Sequence, residues 1–252
     1  MGLVGVQAAP SARVARAFSA AGALAFLVSL AYFLLLYLTR FGAAAAGSDA
    51  RRAVTSNVAL FTLFALHHSV FARQRVRRWI ARTVPAELER PLYVWIASLL
   101  FVLVCAWWRP VAGVAWQVDG TPVWGLRALQ AAGIWLTLRS AAILDIRELA
   151  GLRRPDDIRP PAPAGGGLQA SATEFKTTGP YGWVRHPIYT GWFLFVWAAS
   201  PMTFTRLTFA AASCAYLLLA MPLEERTLRA TSAGAYDRYA ARVRRRLLPG
   251  VY

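Results

Sequence analysis

The sequence predicts an all-α fold: a polytopic transmembrane helical bundle of about six spans, ending in a short C-terminal helical hairpin, with both termini cytoplasmic. Three observations carry this expectation. Hydrophobic residues make up 57% of the 252-residue chain and charged residues 16%, where a soluble domain carries about 25% charge. Apolar runs recur at lengths near the roughly 20 residues a helix needs to cross hydrocarbon. Basic residues are sorted to one side of those runs.

The same numbers exclude other classes. There is ample apolar surface to bury, so the chain is not disordered. Two cysteines, Cys105 and Cys214, both inside apolar runs, do not make a disulfide scaffold. The formal charge is +16, and Lys176 is the single lysine among 28 basic residues. Such a charge can mean nucleic acid, but no nucleic-acid motif accompanies any basic stretch. Arginines that set topology and touch anionic head groups account for it. Membrane lipids are therefore expected neighbours and nucleic acid is not.

Four long apolar runs come first: Ala17–Leu38, Val54–Ala72, Pro91–Trp108 and Trp124–Leu144. The first has an apolar core of about 22 residues, against about 7–15 in a signal sequence, so it is expected to be retained. A fifth run, Pro187–Leu223, is broken at Ser200-Pro201 and Thr203–Arg206. Its 37 residues give about 55 Å of helix, just under two crossings of about 30 Å. It reads as a tight hairpin of two short helices turning near Pro201. Between the fourth and fifth runs, Arg153–Thr173 carries Pro160, Pro161, Pro163 and Gly165–Gly167, a helix-breaking linker. The triple glycine is not followed by Gly-Lys-Ser/Thr and is no phosphate loop.

Orientation follows from the basic residues. The N-terminus, segments 73–90 and 145–186, and the C-terminal tail hold 21 of the 28. The opposite side holds Arg40, Arg51, Arg52, Arg109 and Arg206. The first side is cytoplasmic by the positive-inside rule. The chain is thus expected to be one membrane domain, 1–252. It comprises four spans over 17–144, a cytoplasmic loop over 145–186, and a hairpin with tail over 187–252. The expected location is the bacterial inner (plasma) membrane, with the active site facing the cytoplasm.

Polar chemistry concentrates on the cytoplasmic side. The densest stretch is Gly179-Pro-Tyr-Gly-Trp-Val-Arg-His-Pro-Ile-Tyr-Thr-Gly191. Pro187 suits the first turn of a helix, where its missing N–H costs nothing. Gly191 allows close approach of a ligand or of another helix. Arg185 and His186 beside a helix N-terminus suit an anionic group, while an interfacial belt of Tyr181, Trp183, Tyr189 and Trp192 is the plainer account. Glu224-Glu225-Arg226 follows directly on the last apolar run. Adjacent carboxylates there are costly unless something positive lies near. The hairpin would return them to Arg185-His186.

These two stretches, together with Gly234-Ala-Tyr236-Asp-Arg-Tyr239, resemble the integral-membrane isoprenylcysteine carboxyl methyltransferase superfamily, which includes phospholipid N-methyltransferases. The match covers about residues 175–250. The resemblance implies S-adenosylmethionine as cofactor, held between the last two spans and the C-terminal segment. It assigns Tyr181, His186, Pro187, Tyr189, Gly191, Glu224 and Glu225 to cofactor binding, with Arg185 toward the cofactor carboxylate.

Further pieces extend the likeness over about residues 55–250. They are Phe64-Ala-Leu-His67-His68-Ser69-Val-Phe-Ala-Arg73, Glu89-Arg90-Pro-Leu-Tyr93, Asp145–Arg153 and Pro201-Met-Thr203. They resemble the methanethiol S-methyltransferase branch and related membrane proteins of nitrite and nitric oxide metabolism. The Pro/Gly-rich loop at 154–173 departs from the branch pattern. The resemblance thus implies methyl transfer to a small thiol. Carboxyl methylation of a hydrophobic acid, N-methylation of an aminolipid, and a non-enzymatic role in nitrogen-oxide metabolism remain alternatives. A thiol must ionise, and its pKa falls beside Arg or His⁺. His68, Arg73 and Arg185 are the candidate catalytic residues for that task. His67 and His68 point about 100° apart on a helix and cannot chelate one metal as a pair, so no metal is expected. Each is either packed between helices or lines the substrate cavity. Asp145 and Glu148 share a helical face and are either ion-pair partners or part of the site.

Overall fold

A computed structural model of the chain describes residues 11–47, 49–71, 73–144, 175 and 177–247. The fold is helical. Helix α1 spans Ala12–Leu38, α2 Ala50–Phe71, α3 Gln74–Ile80, α4 Ala86–Trp107 and α5 Pro122–Ile143. After the linker come α6, Pro187–Trp197, α7, Phe204–Thr231, and α8, Ala235–Arg242. The linker, with Asp145 and Glu148, lies outside the described residues. Two short strands, β1 (Val114–Trp116) and β2 (Met202–Thr203), pair antiparallel.

Among the described residues, four segments are long and apolar enough to cross a membrane: Arg13–Gly42, Ala50–Phe71, Glu87–Trp107 and Phe204–Thr231. Their leucines face outward, as at Leu24, Leu27, Leu63, Leu66 and Leu219, because lipid is as apolar as leucine. The chain is an integral membrane protein.

The helices alternate in direction. Phe18 lies near Trp95 and Phe33 near Phe101, so α1 and α4 run parallel. Phe61 packs on Phe209 while Ser69 bonds Tyr216, so α2 and α7 run parallel. Gln130 bonds the carbonyl of Phe195, and Thr137 that of Ile188, so α5 and α6 are antiparallel. One end of the bundle holds β1, β2 and the loop after α1. The other holds α3, α8 and the tail.

The stretch from Pro187 to Leu223 does not divide into two short helices. Its first helix, α6, has 11 residues, about 16 Å, short of the ~30 Å hydrocarbon core. Its second, α7, has 28 residues and runs on past Glu225 to Thr231. The turn does fall at Ser200-Pro201, a cis peptide bond. After the turn, Met202 and Thr203 pair with β1.

Arg206 is a structural residue. It is buried, and its guanidinium donates to the carbonyls of Tyr37, Leu38 and Pro201 at 2.6–3.0 Å. The final carbonyls of a helix lack intrahelical donors, and Arg206 supplies them to α1. A Cβ on Gly42 would lie 2.4 Å from this guanidinium, so glycine makes room for it.

Between the ends lies an aromatic core of Phe33, Tyr37, Phe41, Phe61, Phe101 and Phe209, against which Phe64, Trp192 and Tyr216 pack. Phe33 stacks on Phe209 at 4.9 Å and on Trp192 at 5.1 Å between ring centres. A second cluster, Phe175, Tyr181, Tyr236, Tyr239 and Val243, seats α8 beneath the tail.

Candidate active site

His186 is the N-cap of α6 and Pro187 its first residue. The cap side chain does not bond the helix, which frees the imidazole to point elsewhere. Its Nε2 meets Glu225 Oε1 at 3.2 Å, and its Nδ1 lies 3.9 Å from Glu224 Oε2. The ring stacks on Tyr189, one turn later, with centres 5.3 Å apart and planes within 11°.

The two glutamates divide. Glu225 is buried, with its side chain 1% exposed, and is surrounded by cations. Arg185 Nε donates to it at 3.0 Å, and Arg246 and Arg229 lie at 3.4 and 3.6 Å. The tail strands itself across the start of α6. Arg185 N–H donates to the Arg245 carbonyl and His186 N–H to that of Arg246, both at 2.9 Å. Thr190 Oγ1 donates to the Leu247 carbonyl at 2.6 Å. Glu225 thus neutralises an arginine-rich strap and satisfies helix-start donors through it.

Glu224 looks the other way. Tyr189 donates its hydroxyl to Glu224 Oε2 at 2.8 Å. Tyr181 and Tyr216 lie within electrostatic reach of the same carboxylate. Tyr181 is buried in the turn Gly179–Gly182, and its carbonyl accepts the Tyr239 hydroxyl at 2.9 Å. Burial, then the Glu224 charge, pushes the Tyr181 phenol well above its ordinary range, so it stays protonated.

A second polar group lies on α2 and α4 at the same end of the bundle. His68 Nδ1 and the Tyr93 hydroxyl are 2.8 Å apart, joining α2 to α4. Tyr93 also donates weakly to the His68 carbonyl, at 3.4 Å, and Arg90 lies over its ring at 5.2 Å. Ser69 and the Tyr216 hydroxyl are 3.1 Å apart. Tyr216 also meets His68 edge-on at 6.3 Å and is within electrostatic reach of Tyr189. It packs on the His68 side and lies within electrostatic range of the Glu224 side.

Sequence reasoning missed Tyr216 and underused Tyr93. Tyr216 lies eight residues before Glu224, about two turns of α7, inside an apolar run. That spacing was the available signal.

Three residues expected in the site have their surroundings set by the fold. Gly191 is turned to α5: a Cβ there would sit 2.4 Å from Thr137 Oγ1 and 2.6 Å from the Gly133 carbonyl. Of the two reasons for a glycine, close approach of a helix is the operative one. Arg185, expected to activate substrate, is buried and committed to Glu225, with the Val243 carbonyl as a further acceptor at 3.4 Å. Arg73 is exposed at the N-cap of α3, and among the described residues no bond joins it to His68.

His67 sits between Phe71 and Tyr93, with ring centres at 4.6 and 5.7 Å. Both its nitrogens are buried with no hydrogen-bond partner among the described residues.

The site is defined by convergent polar groups, not by the most open spaces. A groove of about 430 Å³ along Asp49–Ala59 lies at the opposite end. So does a cavity of about 280 Å³ between Leu38, Gln130, Ser200 and Arg206.

Glu224 is a carboxylate with a side chain 10% exposed, bonded by Tyr189 and 3.9 Å from the His186 imidazole. A carboxylate accepts up to about four hydrogen bonds, and Tyr189 supplies one. A poorly solvated carboxylate beside aromatic faces suits a cation, such as a sulfonium or an ammonium.

Comparison with known proteins agrees with this chemistry. Residues 168–230 match the isoprenylcysteine carboxyl methyltransferase family. Methanethiol S-methyltransferase 2 of Bradyrhizobium diazoefficiens is 36% identical over 191 residues, 76% of this chain and 71% of the relative. Methanethiol S-methyltransferase of Mycobacterium tuberculosis is 34% identical over 235 residues, 90% of this chain and 92% of the relative. The Nurim homolog of Drosophila melanogaster is more distant, 24% identical over 65% of each chain. No solved structure matches the chain significantly.

Proposed function

Because the chain belongs to the isoprenylcysteine carboxyl methyltransferase family and is a methyltransferase, we propose that it transfers a methyl group from S-adenosylmethionine to methanethiol, forming dimethyl sulfide. The observation that carries the reading is the pair of polar groups at one end of the bundle, Glu224–Tyr189 and His68–Tyr93, with Tyr216 packed at His68 and within electrostatic reach of Glu224.

Glu224, with the faces of Tyr189 and His186, is the binding region for the positively charged donor. When bound, the donor supplies a methyl group on a positively charged sulfur. Glu225 and Arg185 hold the strap that closes this region and take no part in the transfer.

Methyl transfer to a thiol releases the thiol proton. When Tyr93 donates to the His68 carbonyl, its oxygen accepts a hydrogen bond from His68 Nδ1–H. His68 Nε2 then keeps a lone pair. It takes the proton from the thiol sulfur as the sulfur–methyl bond forms. The remaining requirements are alignment and exclusion of water, which the aromatic surroundings supply. A carboxylate acceptor would need a free cation, and Arg185 is already neutralised by Glu225.

The bundle end that carries the site also carries the arginine-rich segments, so we place it at the cytoplasmic face of a bacterial inner membrane. The test is purified protein with labelled donor and three acceptors: methanethiol, a prenylcysteine analogue and an aminolipid. Dimethyl sulfide in the headspace is the expected product. Label in the prenylcysteine ester or the aminolipid, with none in dimethyl sulfide, would reject the thiol reading.

A further inference from the structure

Four helices change character at one level of the bundle. On the site side they present His68 (α2), Tyr93 (α4), Tyr189 (α6) and Tyr216 (α7). Deeper along the same helices come Phe64, Phe101, Trp192 and Phe209. These are packed: Phe64 on Phe101 at 5.3 Å, and Phe33 on Phe101, Trp192 and Phe209 at 4.9–5.5 Å. Phe64 touches the polar layer at His68, 5.8 Å away, and Phe61 touches it at Tyr216, 6.2 Å away. The site therefore has a solid aromatic floor.

Tyr216 stands at the border of the polar layer and that floor, edge-on to His68 and packed on Phe61. Its ring packs against the core. Its hydroxyl is pinned to Ser69 of α2 at 3.1 Å, which fixes the ring between α2 and α7. A phenol held this way is kept from swinging aside.

We propose that Tyr216, pinned by Ser69, sets the length of the acceptor, admitting a one-carbon thiol and excluding longer alkyl thiols. The proposal rests on the methyl-transfer reading above. A carbon chain on the acceptor sulfur would have to enter the volume of the phenol ring. A packed wall discriminates about 10- to 200-fold per methylene, and floor residues are where that discrimination arises.

The test compares kcat/KM for methanethiol and 1-butanethiol in the purified full-length protein. Wild type should prefer methanethiol. Tyr216→Ala should raise the butanethiol-to-methanethiol ratio at least 10-fold. Tyr216→Phe, which keeps the ring but loses the Ser69 bond, should move the ratio by less than Tyr216→Ala and about as far as Ser69→Ala. Ser69→Ala, which frees the ring, should move the ratio the same way as Tyr216→Ala but less. If Tyr216→Ala is not monodisperse in detergent, Tyr216→Val takes its place, with the same expected direction. An unchanged ratio in a folded truncation, or a shift in Tyr216→Phe as large as in Tyr216→Ala, overturns the proposal. A wild type active on methanethiol with an unmoved ratio sinks the floor alone, whereas a wild type inactive on both thiols sinks the thiol reading with it.

Discussion

Glu224 and Glu225 are consecutive in α7 and do different work. Glu225 Oε1 accepts from Arg185 at 3.0 Å, and Glu224 Oε2 accepts from Tyr189 at 2.8 Å. Neighbours on a helix point about 100° apart. One carboxylate therefore faces the arginine strap and the other the aromatic site, and His186 stands between them. On the proposed reading, this division separates holding the site together from holding the donor.

Glu225→Gln should destabilise the protein. The change leaves Arg185 and Arg246 without their shared anion in a buried setting. Removing one partner of such a pair costs about 3–5 kcal/mol. The measurement is thermal unfolding of the detergent-solubilised protein without donor. A melting temperature equal to wild type would mean the strap is held by its backbone bonds alone.

Glu224→Gln should fold normally and bind the donor at least about 10-fold more weakly, since about 1.4 kcal/mol corresponds to a factor of ten. Calorimetric titration with S-adenosylmethionine reads this directly. Unchanged affinity would take Glu224 out of the donor region. Tyr189→Phe removes the hydroxyl that orients this carboxylate and should give a smaller loss in the same direction.

His68→Ala should lower kcat by about 10²–10⁴-fold, the usual worth of a positioned base. The deficit should shrink as pH rises toward the pKa of the thiol, because the substrate then arrives as thiolate and needs no base. A deficit constant across that pH range would give His68 a packing role only. Arg73→Ala should leave kcat within about 2-fold of wild type, since its side chain is exposed and joined to no group of the site among the described residues.

Gly191→Ala should cost stability and not donor recognition. The new methyl group would meet Thr137 Oγ1 and the Gly133 carbonyl at 2.4 and 2.6 Å. Overpacking of this kind costs about 1–3 kcal/mol. A lowered melting temperature with donor Kd near wild type is the expected result. The reverse pattern would return Gly191 to the donor site.

Reporter fusions at Gly165 and at Tyr252 should both read cytoplasmic. The asymmetric placement of the arginines motivates this. A periplasmic C-terminus would mean that the segment of α6 and α7 crosses only once.

Composition and hydropathy were enough to determine an α-helical membrane protein, because a backbone in hydrocarbon must satisfy its own hydrogen bonds and helices do so locally. The long apolar helices, the turn at Ser200-Pro201 and the start of α6 at Pro187 all follow from local rules. Arg185, His186, Tyr189, Glu224 and Glu225 were legible as one group from motif spacing, since residues 40 apart across a turn return to the same level. Their roles were not. Nothing local distinguishes Glu224 from Glu225, or tells a glycine that admits a ligand from one that admits α5. Arg206 counts as a topology signal in sequence and is in fact the cap of α1, because the carbonyls it serves lie about 170 residues away. His68–Tyr93 and Ser69–Tyr216 are contacts between helices. Their existence depends on which faces of α2, α4 and α7 meet, and packing decides that, because lipid offers an apolar residue no reason to turn one way or the other.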